Sequence, residues 1–109
     1  MVNIVKPLIG NFYLFDYKWM RFLSNNCFII SDITIEAKVI SPIEIEKVEF
    51  YIDNQKLNTS YSTYAGVYSW EWNERVLFYH DIKVIAYDIH DKTGESEIGV
   101  TIFNYGIIP

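Results

Sequence analysis

Apolar and polar side chains alternate along most of this chain with a period of two residues. In "ITIEAKV" the apolar side is formed by Ile33, Ile35, Ala37 and Val39. Such alternation is typical of a β-strand with one buried and one exposed face. The same pattern recurs in "KVEFYID", "DIKVIAYD" and "SEIGVTIFN", so four strands are predicted directly.

Shorter β-rich runs lie between these strands and before them: "NFYLF", "CFII", "QKLNTSY" and "VYSWEW". Turn-forming residues separate the runs, and Asp53-Asn54 in particular suits a tight hairpin. Because no long helical stripe is present, the sequence predicts an all-β sandwich of seven to eight strands. Its predicted core consists of Ile33, Ile35, Val48, Phe50, Ile52, Trp70, Trp72, Ile82, Val84, Ala86, Val100 and Ile102.

The chain has 109 residues, of which 50% are hydrophobic, and this length and composition suit a single folded domain. We expect the sandwich to span residues 11–104. Residues 1–10 are assigned to a leader or linker, with part of a strand as the open alternative, and residues 105–109 to a C-terminal tail.

Charge and cysteine content exclude several classes of function. A formal net charge of −5 without any basic run disfavours nucleic acid as a partner. No segment approaches the length of a membrane span, so membrane insertion is not expected. Cys27 is the only cysteine and lies in an apolar run, which predicts a buried, inert thiol.

The segment "HDIKVIAYDIHDKTGES" holds both histidines and is the stretch most suggestive of chemistry. If residues 81–88 form a strand, His80 and Asp88 are roughly 26 Å apart and cannot share a metal ion. Asp88 and Asp91 remain close enough for a weak calcium site, but the favoured interpretation is that they bind turn N–H groups. Glu44, Glu46 and Glu49 are interpreted as a solvated edge. The sequence predicts no cofactor and no catalytic residues.

The aromatic residues leave two alternatives open. Trp70, Trp72 and Tyr68 share one strand face, which is interpreted as core, with a flat platform for sugar rings as the alternative. Trp19, beside Lys18 and Arg21, is expected to be partly exposed. The candidate binding residues are therefore Trp19, Tyr61, Tyr64 and Tyr68.

Four segments in chain order resemble the bacterial and archaeal immunoglobulin-like modules of surface and secreted proteins. These segments are "IEKVEFYIDNQKL", "YSWEW", "HDIKVIAYD" and "GVTIFN". The resemblance extends over about residues 28–104 and implies an immunoglobulin-like β-sandwich. It departs from the family at "VLFYH", which lacks a frequent glycine, and at the longer turn "IHDKTGE".

The resemblance also implies a role. It suggests a non-enzymatic spacer or structural module of a larger cell-surface or secreted protein, with neighbouring domains of that protein as partners. The alternative is an adhesion module that binds a carbohydrate or protein ligand through exposed aromatic residues.

Overall fold

The computed structural model describes residues 1–21, 26–61, 63 and 65–105, and the regular elements in this part of the chain are all β-strands. The predicted all-β sandwich is therefore confirmed, with more strands than the seven or eight expected. The ten described strands are β1 Val2–Lys6, β2 Asn11–Leu14, β3 Tyr17–Arg21, β4 Phe28–Ile30, β5 Ile33–Val39, β6 Ile45–Ile52, β7 Gln55–Ser60, β8 Val67–Trp72, β9 Val76–Asp88 and β10 Thr93–Asn104.

The strands form two sheets. The small sheet has the order β1-β5-β8, and the large sheet has the order β3-β2-β4-β10-β9-β6-β7. Neighbouring strands are antiparallel except that β4 runs parallel to both β2 and β10. The long β9–β10 pair, in continuous register from Tyr87↔Thr93 to Val76↔Asn104, forms the centre of the large sheet.

The core lies between the two sheets and is filled by the inward side chains of the alternating strands. Every predicted core residue is buried except Trp70, which is half-buried and packs against the core with its ring centroid 6.0 Å from that of Phe50. Trp72 is fully buried. The face that Trp72 shares with Tyr68 is therefore core, as the sequence indicates, and not a flat sugar platform.

Residues 1–10 are not a leader or linker in the structure. β1 pairs with β5 from Val2↔Val39 to Lys6↔Glu36, and the side chains of Val2 and Ile4 are buried in the core. The segment "VNIVK" is too short to display several cycles of alternation, which is why its pattern did not identify it as a strand.

β2 and β3 form a hairpin whose turn, Phe15-Asp16, has positive φ at both residues. Asp16 fastens this turn to the small sheet. Its Oδ1 accepts the backbone N–H of Thr34 at 2.6 Å, and the Thr34 hydroxyl donates to its Oδ2 at 2.6 Å. The Nζ of Lys6 lies 3.1 Å from Asp16 Oδ1. The hairpin is thus connected to both β1 and β5.

Candidate functional site

His80 supports a turn rather than a catalytic cluster. Its Nδ1 lies 2.6 Å from Asp53 Oδ2, and its Nε2 lies 3.0 Å from the carbonyl oxygen of Leu77. The other carboxylate oxygen of Asp53 accepts the backbone N–H of Asp81 at 2.9 Å. That hydrogen bond from Asp81, together with His80, lowers the pKa of Asp53 although burial opposes ionisation. These contacts join the β6–β7 hairpin turn to β9.

Asp88 and Asp91 lie at the other end of β9, in the turn before β10. Asp88 is buried, and its Oδ1 accepts the backbone N–H groups of His90 at 2.8 Å and of Lys92 at 3.0 Å. Asp91 adopts a positive φ of 65° and donates its backbone N–H to the carbonyl oxygen of Asp88. Asp88 thus binds turn N–H groups, the interpretation that the sequence favoured over a calcium site.

No group of three His, Cys, Asp or Glu side chains that could hold a metal ion is found in the described part of the chain. The thiol of Cys27 is buried, and burial raises its pKa to about 12. A thiol with so high a pKa is neutral at physiological pH and therefore a poor nucleophile. The prediction that Cys27 is buried is confirmed.

The sequence predicted that Glu44, Glu46 and Glu49 form a solvated edge. Glu44 and Glu46 are exposed, but Glu49 is buried. β6 is not an edge strand, because it lies between β9 and β7, and Glu49 is only 3% exposed. The Tyr51 hydroxyl donates to Glu49 Oε1 at 2.8 Å, and the Nζ of Lys56 lies 3.3 Å from Oε2. Burial opposes ionisation of Glu49, but hydrogen bonds from Tyr51, Tyr87 and Lys56 hold its pKa below the usual value.

The structure does not bring the four candidate binding residues together. Trp19 on β3 is 62% exposed, and Tyr61, directly after β7, is 72% exposed. β3 and β7 are the opposite edges of the large sheet, so six strand spacings, or roughly 29 Å along the sheet, separate them. Tyr68 is buried and unavailable to a ligand, because its strand face packs into the core. Tyr64 lies outside the described residues.

A groove with a volume of about 460 Å³ lies on the inner side of β3. It is lined by Lys18 and Arg21 of β3, by Glu97 of β10 and by apolar residues that include Leu8 and Ile9. This volume falls within the range of small-ligand sites. The sequence pointed to Lys18 and Arg21 only as neighbours of Trp19, because other lining residues, such as Glu97 on β10, are distant in sequence.

The sequence interpretation missed an exposed apolar surface on the large sheet. The runs "NFYLF" and "CFII" became β2 and β4, and each carries apolar residues on both of its faces. Phe12 and Leu14 are half-buried on the face opposite to the buried Tyr13. A strand that is apolar on both faces is the signal that could have indicated this second surface.

Comparisons with known proteins identify the kind of module. A family model described as "Bacterial Ig domain" matches residues 24–95. A solved structure of fibronectin(III)-like modules of Clostridium thermocellum CbhA has a TM-score of 0.70 to this chain at 21% sequence identity. The alignment covers 95% of this chain and 46% of that one, so this chain spans about half the length of that structure. At this identity the likeness shows the fold alone.

No curated protein matches the chain. Within the described residues, no helix has the length and apolarity needed to cross a membrane.

Proposed function

The chain belongs to the bacterial Ig domain family, and from this premise we propose that it is a non-enzymatic structural module, a spacer within a larger cell-surface or secreted protein. Its immediate partners in this proposal are the neighbouring domains of that protein. A sandwich suits such a role because its sheets share one continuous core that fixes the separation of its two ends.

The observation that carries the proposal is the set of contacts made by the ionisable side chains whose chemistry is most suggestive of catalysis or metal binding. Asp53 and His80 fasten the β6–β7 turn to β9, and Asp88 binds the N–H groups of the β9–β10 turn. Glu49 binds Tyr51 and Lys56 on the sheet surface. A catalytic carboxylate or imidazole must be directed at the substrate. The four side chains named here instead form their hydrogen bonds with other residues of the sandwich.

Two further observations support a place in a larger protein. The similar structure consists of fibronectin(III)-like modules in a chain about twice as long as the aligned region, which is how spacer modules are arranged. Exposure at the cell surface or secretion is proposed from the likeness to immunoglobulin-like modules of such proteins.

A module exchange tests the proposal. In the protein that carries this chain, the module is replaced by an unrelated immunoglobulin-like module of similar length, and in a second variant it is deleted. We expect exchange to preserve the activities and surface display of the carrier protein, and deletion to impair them. Loss of a binding activity on exchange, when display on intact cells is unchanged, would show that the module does more than separate its neighbours.

The alternative function, adhesion through exposed aromatic residues, is favoured by one observation: Trp19 on β3 is 62% exposed. Retention of the purified chain on insoluble polysaccharides and on cell-wall fractions tests it. Binding at this site predicts that Trp19→Ala abolishes retention. Tyr105→Ala serves as the matched control, because Tyr105 is 57% exposed but is not one of the candidate residues. Tyr61→Ala examines the opposite edge of the sheet separately.

A further inference from the structure

The first half of β10 has a strand neighbour on one side only, within the part of the large sheet that the structure describes. On one side β10 pairs with β9 along its whole length, from Thr93 to Asn104. On the other side it pairs with β4, and that pairing runs only from Thr101 to Phe103. The residues of β10 that precede Thr101 therefore border an open side of the sheet.

The hydrogen bonds between β4 and β10 show which residues direct their backbone groups to this side. The N–H of Thr101 donates to the carbonyl oxygen of Cys27 at 2.9 Å. The carbonyl oxygen of Phe103 accepts the N–H of Ser31 at 2.9 Å. Because the direction of the backbone groups alternates along a strand, the odd-numbered residues of β10 point away from β9. The even-numbered residues form the hydrogen bonds to β9.

Three odd-numbered residues, Glu95, Glu97 and Gly99, thus direct their N–H and C=O groups to the open side. Among the described residues, none provides a hydrogen-bond partner for these groups on that side. The row is about 13 Å long, at about 3.3 Å per residue. We call these three residues the open edge. An edge of this kind is a template for pairing with another strand.

The groove described above borders the open edge. Ser96, Glu97 and Ile98 line it from β10, and Ile4 lines it from β1. An added strand lies about 4.8 Å from its neighbour in a sheet. A segment that pairs with the open edge therefore occupies the groove, whose volume is about 460 Å³.

Two cationic side chains, those of Lys18 and Arg21, line the same groove. They are three residues apart, and this spacing places residues on opposite faces of a regular strand. Lys18 lies opposite Tyr13, and Arg21 lies opposite Asn11, because β3 contains one extra residue, Trp19, in a β-bulge. Asn11 and Tyr13 are buried on the inner face. The bulge therefore directs both cations to that face.

The charge of the groove differs from that of the whole chain. Among the described residues, no carboxylate lies within ion-pair distance of Lys18 or Arg21. Glu97 is the one carboxylate in the described lining, so positive charge is in excess there, although the chain has a net charge of −5. Complementary charges across an interface determine which partner is accepted. The groove therefore favours an acidic partner.

We infer that the open edge binds an extended acidic peptide segment of another polypeptide, which adds a strand to the large sheet. The backbone of such a segment supplies the alternating donors and acceptors that the open edge lacks, and an apolar surface does not. Alternate side chains of the added strand face inward. An acidic residue at such a position meets Lys18 and Arg21, and its apolar neighbours contact Leu8 and Ile9 in the lining.

A second copy of this chain does not meet these requirements through its own open edge. Directly opposite residues on paired strands project from the same face. Two open edges paired with each other would bring Glu95 and Glu97 of both copies together on one face of the sheet, and like charges in such positions are destabilising.

Isothermal titration calorimetry with a synthetic peptide tests the inference. The probe is a capped peptide of about seven residues, which is long enough to span the open edge. Threonine at alternate positions favours a strand, and the positions between them are valine, aspartate and valine. The matched probe has asparagine in place of the aspartate. We expect the acidic probe to bind about tenfold more tightly than the asparagine probe.

Glu97→Pro separates backbone pairing from side-chain contacts. The N–H of Glu97 faces the open side, so proline removes that donor and blocks the edge without removing a hydrogen bond to β9. We expect this variant to bind neither probe. Glu97→Gln is the control, because it keeps the backbone N–H, and it should bind both probes at least as tightly as the wild type. Circular dichroism checks that each variant is folded.

Lys18→Gln and Arg21→Gln test the charge, and they remain informative if Glu97→Pro does not fold. Each should weaken binding of the acidic probe by about two- to fivefold, as expected for a partly exposed ion pair. Neither should change binding of the asparagine probe. The matched control is Lys38→Gln, at an exposed lysine of β5 that does not line the groove. It should leave the affinity for both probes unchanged.

Amide hydrogen exchange locates the bound probe. In the free chain, the amides of Glu97 and Gly99 should exchange much faster than those of Ser96 and Ile98, which are bonded to β9. The acidic probe should slow exchange at Glu97 and Gly99.

Three results would overturn the inference. Slow exchange of Glu97 and Gly99 in the free chain would show that the open edge is already covered. The other two are failure of the acidic probe to bind at about millimolar concentration, and binding that Glu97→Pro leaves unchanged. Because strand addition does not depend on the spacer role, each of these results leaves the proposed function standing.

Discussion

The carboxylate of Glu49 is held on the outer face of the large sheet by the Tyr51 hydroxyl and by Lys56 and Lys47, whose Nζ atoms lie 3.3 and 3.6 Å from its Oε2. A buried carboxylate with such partners gains charge-assisted hydrogen bonds that a neutral amide cannot reproduce. Removal of the charge also leaves the lysine ammonium groups with a weaker partner. Glu49 is therefore a stabilising residue with no opening toward a substrate.

We expect Glu49→Gln to lower the free energy of unfolding by about 1–3 kcal/mol, since charge-assisted hydrogen bonds of a buried group are lost while its shape is kept. Urea unfolding followed by circular dichroism measures the change. Glu46→Gln is the control, because Glu46 is exposed on the same strand and should change stability by less than about 0.5 kcal/mol. Equal effects of the two substitutions would show that the contacts of Glu49 contribute nothing.

The acid dependence of stability follows from carboxyl groups whose pKa values are lowered by folding. For Asp16, burial opposes ionisation, but hydrogen bonds from Thr34 and the ammonium of Lys6 outweigh it and lower the pKa. A group with a lowered folded-state pKa stabilises the protein fully above its unfolded-state pKa of about 3.9. That contribution is lost as the pH falls through the folded-state pKa.

We therefore expect the free energy of unfolding to change little between about pH 5 and 7 and to decrease steeply below about pH 4. Asp16→Asn should be less stable than the wild type at neutral pH, and the difference should shrink as the pH falls, since the wild-type carboxylate is then also neutral. Urea titrations at a series of pH values measure both curves. A constant difference down to about pH 2 would contradict an ionic role for Asp16.

At the level of single residues, the period-two pattern identified the inward positions, because alternation alone decides which face of a strand is buried. Glu49 could not be recognised as buried in this way. Its cover comes from Tyr87 on β9 and Lys56 on β7, and the register that brings these residues together is set by the assembled sheet. His80 and Asp53 are 27 residues apart, so their contact was equally hidden.

At the level of elements, β1 links the two ends of the chain. It pairs with β5, and the backbone N–H of Ile4 donates to the hydroxyl of Ser96 on β10 at 3.3 Å. Val2 and Ile4 supply two buried side chains to the core. Both β1 and β3 were missed as strands, β1 because it is short and β3 because all five of its residues are exposed and show no alternation.

The contribution of β1 is tested by a pair of isoleucine substitutions. Ile4→Ala should lower the free energy of unfolding by about 2–4 kcal/mol, because it removes buried methyl groups and leaves a cavity. Ile9→Ala makes the same chemical change at a residue that is 56% exposed, and it should cost less than about 0.5 kcal/mol. Both values come from urea unfolding. If the two variants were equally stable, residues 1–10 would behave as the linker that the sequence suggested.

At the level of the whole molecule, one core is shared by side chains from both sheets. Ile33, Ile35 and Trp72 from the small sheet belong to the same buried cluster as Phe50 and Val84 from the large sheet. Neither sheet can expose its inner face without exposing that of the other. A domain of this size with a single core is expected to unfold in one cooperative step.

The variant Trp19→Phe makes this expectation measurable, because its remaining tryptophans, Trp70 and Trp72, both lie in the small sheet. Fluorescence then follows the small sheet, while circular dichroism at the amide wavelengths follows all strands, most of which are in the large sheet. We expect the two urea transitions to coincide. Separate midpoints would mean that the sheets lose their structure independently. A spacer requires the cooperative behaviour, because a module that opened one sheet at a time would not hold its neighbours at a fixed separation.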